Sequence, residues 1–305
     1  MQMAQIIRQR INEVRPDLSE KSIKTYVSLL WNMYKNIFDS GEVDLDKFNN
    51  CETFLNYLEN FQPSKRKTYL ASLVILTGNN NYRMLMLEDI KHYNENLKKQ
   101  EKDEKQEQNW LTSEEINSFL EKYKIIANEL LLKPVQDLTP KEFQEIQNYI
   151  ILCLTSGIYF QPRRSLDWTE MKISNFDLEL DNYIIRNKKH YKLYFNVYKT
   201  NKKYGLQTIT LNDELKEIID TWINLLQTKY PDCEWLFIDK NCNKLDPSKL
   251  NQRFHKIFGK KASTNIIRHS YVSSKYKNLP GLQELMTDGE AMGHNLQTHL
   301  LYYKK

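Results

Sequence analysis

Residues 182–212 read NYIIRNKKHYKLYFNVYKTNKKYGLQTITLN, and this stretch decides between an all-helical chain and a mixed one. Segments 183–187, 193–198 and 206–211 are rich in β-branched and aromatic residues, which suit a pleated, half-buried surface. Lys188-Lys189-His190 and residues 201–205 supply the turns between them. Three short strands joined by turns predict a small antiparallel sheet. The stretch also holds Arg186, Lys188, Lys189, Lys192, Lys199, Lys202 and Lys203, and no Asp or Glu.

On either side the pattern turns helical. Ser19 is a good N-cap, and Ile23, Tyr26, Leu30, Met33 and Ile37 follow at helical spacing. Further helices are predicted over 46–61, from Pro63 onward with Leu70, Leu73 and Leu76 inward, and over 84–96. Residues 1–96 therefore read as a helical bundle. Residues 97–109, LKKQEKDEKQEQN, hold no aromatic and one aliphatic residue, and read as a charged linker. The remainder, 110–305, opens on two similar start signals. Thr112 with Glu115 and Thr139 with Glu142 each form a capping box, and Pro140 stands at the first helical position of the second. Beyond the strands, helices are predicted over 213–229, 247–258, 264–276, 281–291 and 297–303, with a short strand over 235–238. The fold class is mainly α with a small antiparallel β-sheet: a helical domain followed by an α+β domain.

Charge follows this layout. The chain has 305 residues and a net charge of +5. A second acid-free window, 247–283, carries Lys249, Arg253, Lys256, Lys260, Lys261, Arg268, Lys275 and Lys277. The two windows hold fifteen basic residues, so the rest of the chain sums to −10. Two basic stretches in an otherwise acidic chain predict a face for a polyanion. Only 8 glycines are present, which argues against a Gly-rich nucleotide-binding loop. Cys51, Cys153, Cys233 and Cys242 lack CxxC spacing, so neither a zinc site nor a disulfide framework is expected. The start lacks the apolar core of a signal peptide, and the longest apolar run is too short to span a bilayer. The expectation is a soluble intracellular protein, in cytoplasm or nucleus, with no membrane partner.

Five fragments of the second domain then fall into order: SGIYFQPRRSLDW, YKTNKKYGLQTITL, NIIRHSYVSS, MGHNLQTH and LLYYKK. This order resembles the tyrosine recombinase (phage integrase) family. Pro162-Arg163-Arg164 and the Asn-, Lys- and Tyr-rich composition look like its divergent members from viruses and mobile elements of eukaryotes. The resemblance implies a helical core-binding domain and a catalytic domain closing around duplex DNA. The family's first Arg matches Arg164 of Arg164-Ser165-Leu166-Asp167-Trp168, with Arg163 the alternative if the frame slips by one. Its hairpin Lys matches Lys199, its second Arg matches Arg268, its late His matches His294, and its nucleophile matches Tyr303, with Tyr302 the alternative. Asn265 stands three residues before Arg268, where the family has His or Lys. An amide donates a hydrogen bond but is no general base. Only Lys304 and Lys305 follow Tyr303, where many relatives have a tail that docks on a neighbouring subunit, so the expectation is that this chain either lacks that lock or uses another surface.

The implied reaction is transesterification at a DNA phosphodiester. Two Arg forks would grip the non-bridging oxygens while Tyr303 attacks phosphorus and Lys199 protonates the leaving oxygen. Bond energy stays in the phosphotyrosine link, so no cofactor, ATP or metal is implied. Double-stranded DNA is the implied partner, with a homotetramer on DNA and a monomer as the free alternative. Expected DNA contacts are Lys65, Arg66, Lys67, Arg163, Lys202, Lys203, Lys260 and Lys261. Region 1–96 carries 12 basic and 12 acidic residues, so its grip needs a local face. A type IB topoisomerase and a non-catalytic DNA-binding relative remain alternatives.

Overall fold

The computed structural model describes residues 2–38, 44–187, 190–278, 280–292 and 296. The chain folds into two compact units, Met1–Glu101 with Pro280–Lys305, and Lys102–Leu279. Among the described residues no helix is long and apolar enough to cross a membrane.

The first unit is a helical bundle: α1 (Gln2–Val14), α2 (Glu20–Phe38), α3 (Cys51–Leu58), α4 (Pro63–Thr77) and α5 (Asn80–Lys98). Ser19 Oγ accepts from the Ser22 amide at 3.2 Å and so caps α2 as expected. The helix predicted over 46–61 is broken. A 3-10 turn, Leu45–Asn49, precedes α3, because the Asn50 side chain accepts from the Thr53 amide and starts a new helix. Ile11, Leu30, Met33, Phe54, Leu70 and Leu73 are fully buried between these elements. The Tyr82 hydroxyl donates to the Phe48 carbonyl at 2.8 Å, closing the bundle.

In the second unit, α6 (Glu104–Asn109) lies inside the stretch read as linker. Asp103 and Gln106 cap it reciprocally, a signal hidden by its lack of apolar residues. Then come α7 (Ser113–Leu130) and α8 (Pro140–Thr155), with both expected capping boxes formed. The central α8 is buried almost throughout its last three turns. Even its Gln147 is fully buried, because its amide exchanges two 2.9 Å hydrogen bonds with the backbone of Ile238.

After α9 (Ser165–Thr169) the chain enters the sheet: β1 (Met171–Lys172), β2 (Asn182–Arg186), β3 (Tyr191–Phe195), α10 (Asn201–Tyr204) and β4 (Gln207–Thr210). The order is β1-β2-β3-β4. The three expected strands pair antiparallel, and β1 adds a parallel edge that makes the sheet mixed. The segment expected as a strand over 235–238 forms only isolated bridges, Trp235 to Lys172 and Ile238 to Lys244. Helices α11 (Asp213–Lys229), α12 (Pro247–Phe258) and α13 (Thr264–Lys275) complete this unit, and α14 (Leu282–Ala291) belongs to the first. The helix expected over 297–303 lies outside the described residues, as do Lys188 and Lys189.

Candidate active site

The site grows from the turn after α8. Gly157 has φ +90°, and a Cβ there would lie 2.7 Å from Tyr271 Cδ2, so only glycine lets the turn close on α13. The chain then passes buried Pro162 and reaches Arg163 and Arg164. Arg164 takes the N-cap position of α9 with extended backbone. Next to it, Ser165 Oγ donates to Asn251 Oδ1 at 3.3 Å and lies 2.9 Å from Thr264 Oγ1. Ser165 is the first residue of α9 and Thr264 the first of α13. This hydroxyl pair fixes the start of one helix to the start of the other.

Arg268, one turn along α13, is half-buried. Burial lowers its pKa from the ordinary guanidinium value, and the positive field of Arg164 lowers it further, with Asp167 opposing and Arg163 contributing least. The two arginines thus lie within electrostatic reach of each other. Like charges held together in this way are a natural seat for a dianionic group.

The adjacent arginines are not equivalent. Arg163 Nε donates to Asp167 Oδ2 at 2.9 Å, and its Nη1 donates to Gln207 Oε1 on β4 at 2.8 Å. Its guanidinium lies 3.9 Å from the Phe195 ring centre and 5.2 Å from that of Tyr198. Asp167 is buried, its other oxygen lacks a partner among the described residues, and burial raises its pKa despite Arg163. Arg164, by contrast, makes no side-chain hydrogen bond or ion pair among the described residues. Of the two adjacent guanidiniums, that of Arg164 is therefore the one not engaged within the fold.

Lys199 is exposed in the β3–β4 connection, just before α10. The residues preceding it are held firmly. Buried Asn182 donates to the carbonyls of Asp167 (3.0 Å) and Val197 (2.9 Å), and accepts from the Val197 amide at 2.6 Å. Tyr198 is buried, and its hydroxyl donates to the Gly205 carbonyl. Lys202 and Lys203 are exposed on α10.

Along α13, a cleft of ≈ 540 Å³ is lined by Gln161, Pro162, Asn265, Arg268, His269 and Lys275, among others. Arg268 Nη1 donates to Asn265 Oδ1 across 3.5 Å, a long contact. Asn265 itself is exposed. So Asn265 and Arg268 share one cleft, and Arg164 and Arg163 lie within electrostatic reach of Arg268. His294, Tyr302 and Tyr303 lie outside the described residues.

Other expected DNA contacts divide. Lys260 Nζ donates to Glu115 Oε1 at 2.7 Å and to the Trp110 carbonyl at 3.0 Å, so its charge is engaged within the fold, while Lys261 is exposed. In the first unit, Arg66 forms a bidentate pair with fully buried Asp89 at 2.9 and 2.8 Å. Lys65 sits 4.1 Å from the Phe61 ring centre and Lys67 2.9 Å from that of Tyr93. Sequence reasoning missed Ser165, Asn182 and Gln207 as organisers of the site. The i,i+4 spacing of Arg163 and Asp167 was the one available local signal.

No family model matches the chain, and no curated protein matches it. Among solved structures, the chain is similar to the crystal structure of XerA recombinase at 14% identity, covering 99% of this chain and 94% of that one, with a TM-score of 0.35. It is also similar to the pre-cleavage complex of the XerH site-specific recombinase bound to difH substrate, at 15% identity, 99% and 90% coverage and a TM-score of 0.38.

Proposed function

We propose that this chain is a tyrosine-type site-specific DNA recombinase that cuts and rejoins double-stranded DNA. The observation that carries this reading is the Ser165–Thr264 hydroxyl contact, which ties the helix start at Arg164 to the helix that bears Arg268 beside an open cleft. In the reaction the two guanidinium forks bind the non-bridging oxygens of one phosphate and stabilise the charge that builds up in flight. His294 adds a third donor. Tyr303 Oη attacks phosphorus, the bond to the 5′ oxygen breaks, and a 3′-phosphotyrosine link forms. Lys199 gives its proton to the departing 5′ oxygen, and the proton of Tyr303 passes to water or phosphate. Rejoining is the same path reversed. Region 1–96 is the proposed core-binding domain, 97–109 the linker, 110–305 the catalytic domain, and a homotetramer the assembly on DNA.

The test is a duplex selected for binding from a random pool and nicked at successive positions, so that the cleaved fragment diffuses away. A covalent protein–DNA adduct is expected, lost in Tyr303→Phe and kept in Tyr302→Phe. Asn265 favours a second reading, a relative that binds DNA without cutting, because an amide cannot move a proton. Binding without any adduct would establish that second reading.

A further inference from the structure

We infer that Arg163 is a positioning residue that couples the phosphate-binding arginine to the proton-donating lysine; this rests on the reading just proposed. The basis is one side chain with partners on three elements. Its Nε donates to Asp167 on α9, its Nη1 donates to Gln207 on β4, and its flat face covers Phe195 at the end of β3 and Tyr198 beyond it. Arg163 adjoins Arg164 along the chain, and Tyr198 adjoins Lys199. A guanidinium clamped on both sides therefore sets the distance between the two neighbouring groups. Its side chain is only 15% exposed, so it has little surface to offer DNA directly. Arg suits this role where Lys does not, since only a planar fork can donate along two edges and stack at once. Asn182 fixes the backbone of Val197 to that of Asp167, but nothing in that link reaches the ring of Tyr198. The Tyr198 hydroxyl is held by the Gly205 carbonyl, and Arg163 adds the contact that ties this ring, at the residue before Lys199, to the residue before Arg164.

A lysine delivers its proton only from within hydrogen-bond reach of the leaving oxygen. Loosening the Tyr198 ring moves that reach, and leaves the phosphate grip of Arg164 and Arg268 largely in place. The defect should therefore appear in proton delivery. A 5′-bridging phosphorothiolate tests this. Its sulfur leaves as a thiolate, whose conjugate acid has a pKa of about 8.5, and needs no donated proton.

Adduct formation is measured on both substrates for the unaltered chain, Arg163→Met, Gln207→Ala and Lys199→Ala, with thermal unfolding as a check of folding. Gln207→Ala removes one tether and keeps the Arg163–Asp167 pair, so it remains informative if Arg163→Met does not fold. On the ordinary phosphodiester, Arg163→Met is expected to be slower by about 10²-fold and Gln207→Ala by less. On the phosphorothiolate both are expected to recover nearly the unaltered rate, as does Lys199→Ala. Arg163→Lys should fail to rescue. Equal slowing on both substrates by the variants that fold overturns the inference alone. No adduct from the unaltered chain on either substrate removes the catalytic reading, and this inference with it.

Discussion

Two groups of basic residues were expected to meet DNA, and the molecule treats them differently. At the start of α4, Arg66 is locked to a fully buried Asp89, and Lys65 and Lys67 lie against aromatic rings. Around α9 and α13, one arginine of three is locked, and Arg164 and Arg268 have no ion pair of their own among the described residues. In the first cluster a carboxylate answers the charge, so it stabilises the bundle. In the second, one buried carboxylate, Asp167, is shared among three arginines and pairs with Arg163 alone, an excess of positive charge that suits an anionic ligand. A run of basic residues thus says little until its acids are located.

This contrast can be broken. The largest expected effect is Arg268→Ala, which should slow adduct formation by about 10³-fold while leaving the unfolding curve nearly unchanged. Arg66→Ala should do the reverse. Leaving the Asp89 carboxylate buried and alone costs about 3–5 kcal/mol, read from denaturant unfolding. If Arg66→Ala instead weakens DNA binding at unchanged stability, the contrast fails. Gly157→Ala should come next. Its Cβ meets Tyr271 and its φ is left-handed, so a loss of about 1–3 kcal/mol is expected, with a slower reaction because α13 is displaced. The smallest effect separates two neighbours. Lys261→Ala should lower the slope of log affinity against log salt by about 1 if it contacts a phosphate, whereas Lys260→Ala should leave that slope unchanged and destabilise the fold.

What the sequence made legible was local. The capping boxes at Thr112 and Thr139 involve residues three apart, and both form as read. Helices α11 and α12 coincide with the expected ranges, because Asn212 and Asp246 stand at their N-caps. What stayed hidden depends on distant partners. Strand β1 is two residues long and exists only because Asn182 and Tyr183 pair with it. Lys260 reads as a free surface cation until Glu115, 145 positions away, is placed beside it. The same holds for Arg66 and Asp89. At the site, the order of the fragments proposes Arg164, Lys199 and Arg268, yet no local rule showed that Arg163 would turn inward. Its partners Gln207, Phe195 and Tyr198 arrive through the hairpin.

The contact between Ser165 and Thr264 joins two hydroxyls, and neither titrates or attracts counter-ions. The alignment of the two arginine-bearing helices is therefore indifferent to ionic strength, whereas the proposed capture of DNA would not be. Salt and chemistry separate as a result. At saturating DNA the first-order rate of adduct formation is expected to stay flat across a salt series, while half-saturation shifts steeply. In the proposed recombinase, a neutral rivet inside a charged surface would make speed and grip independently adjustable.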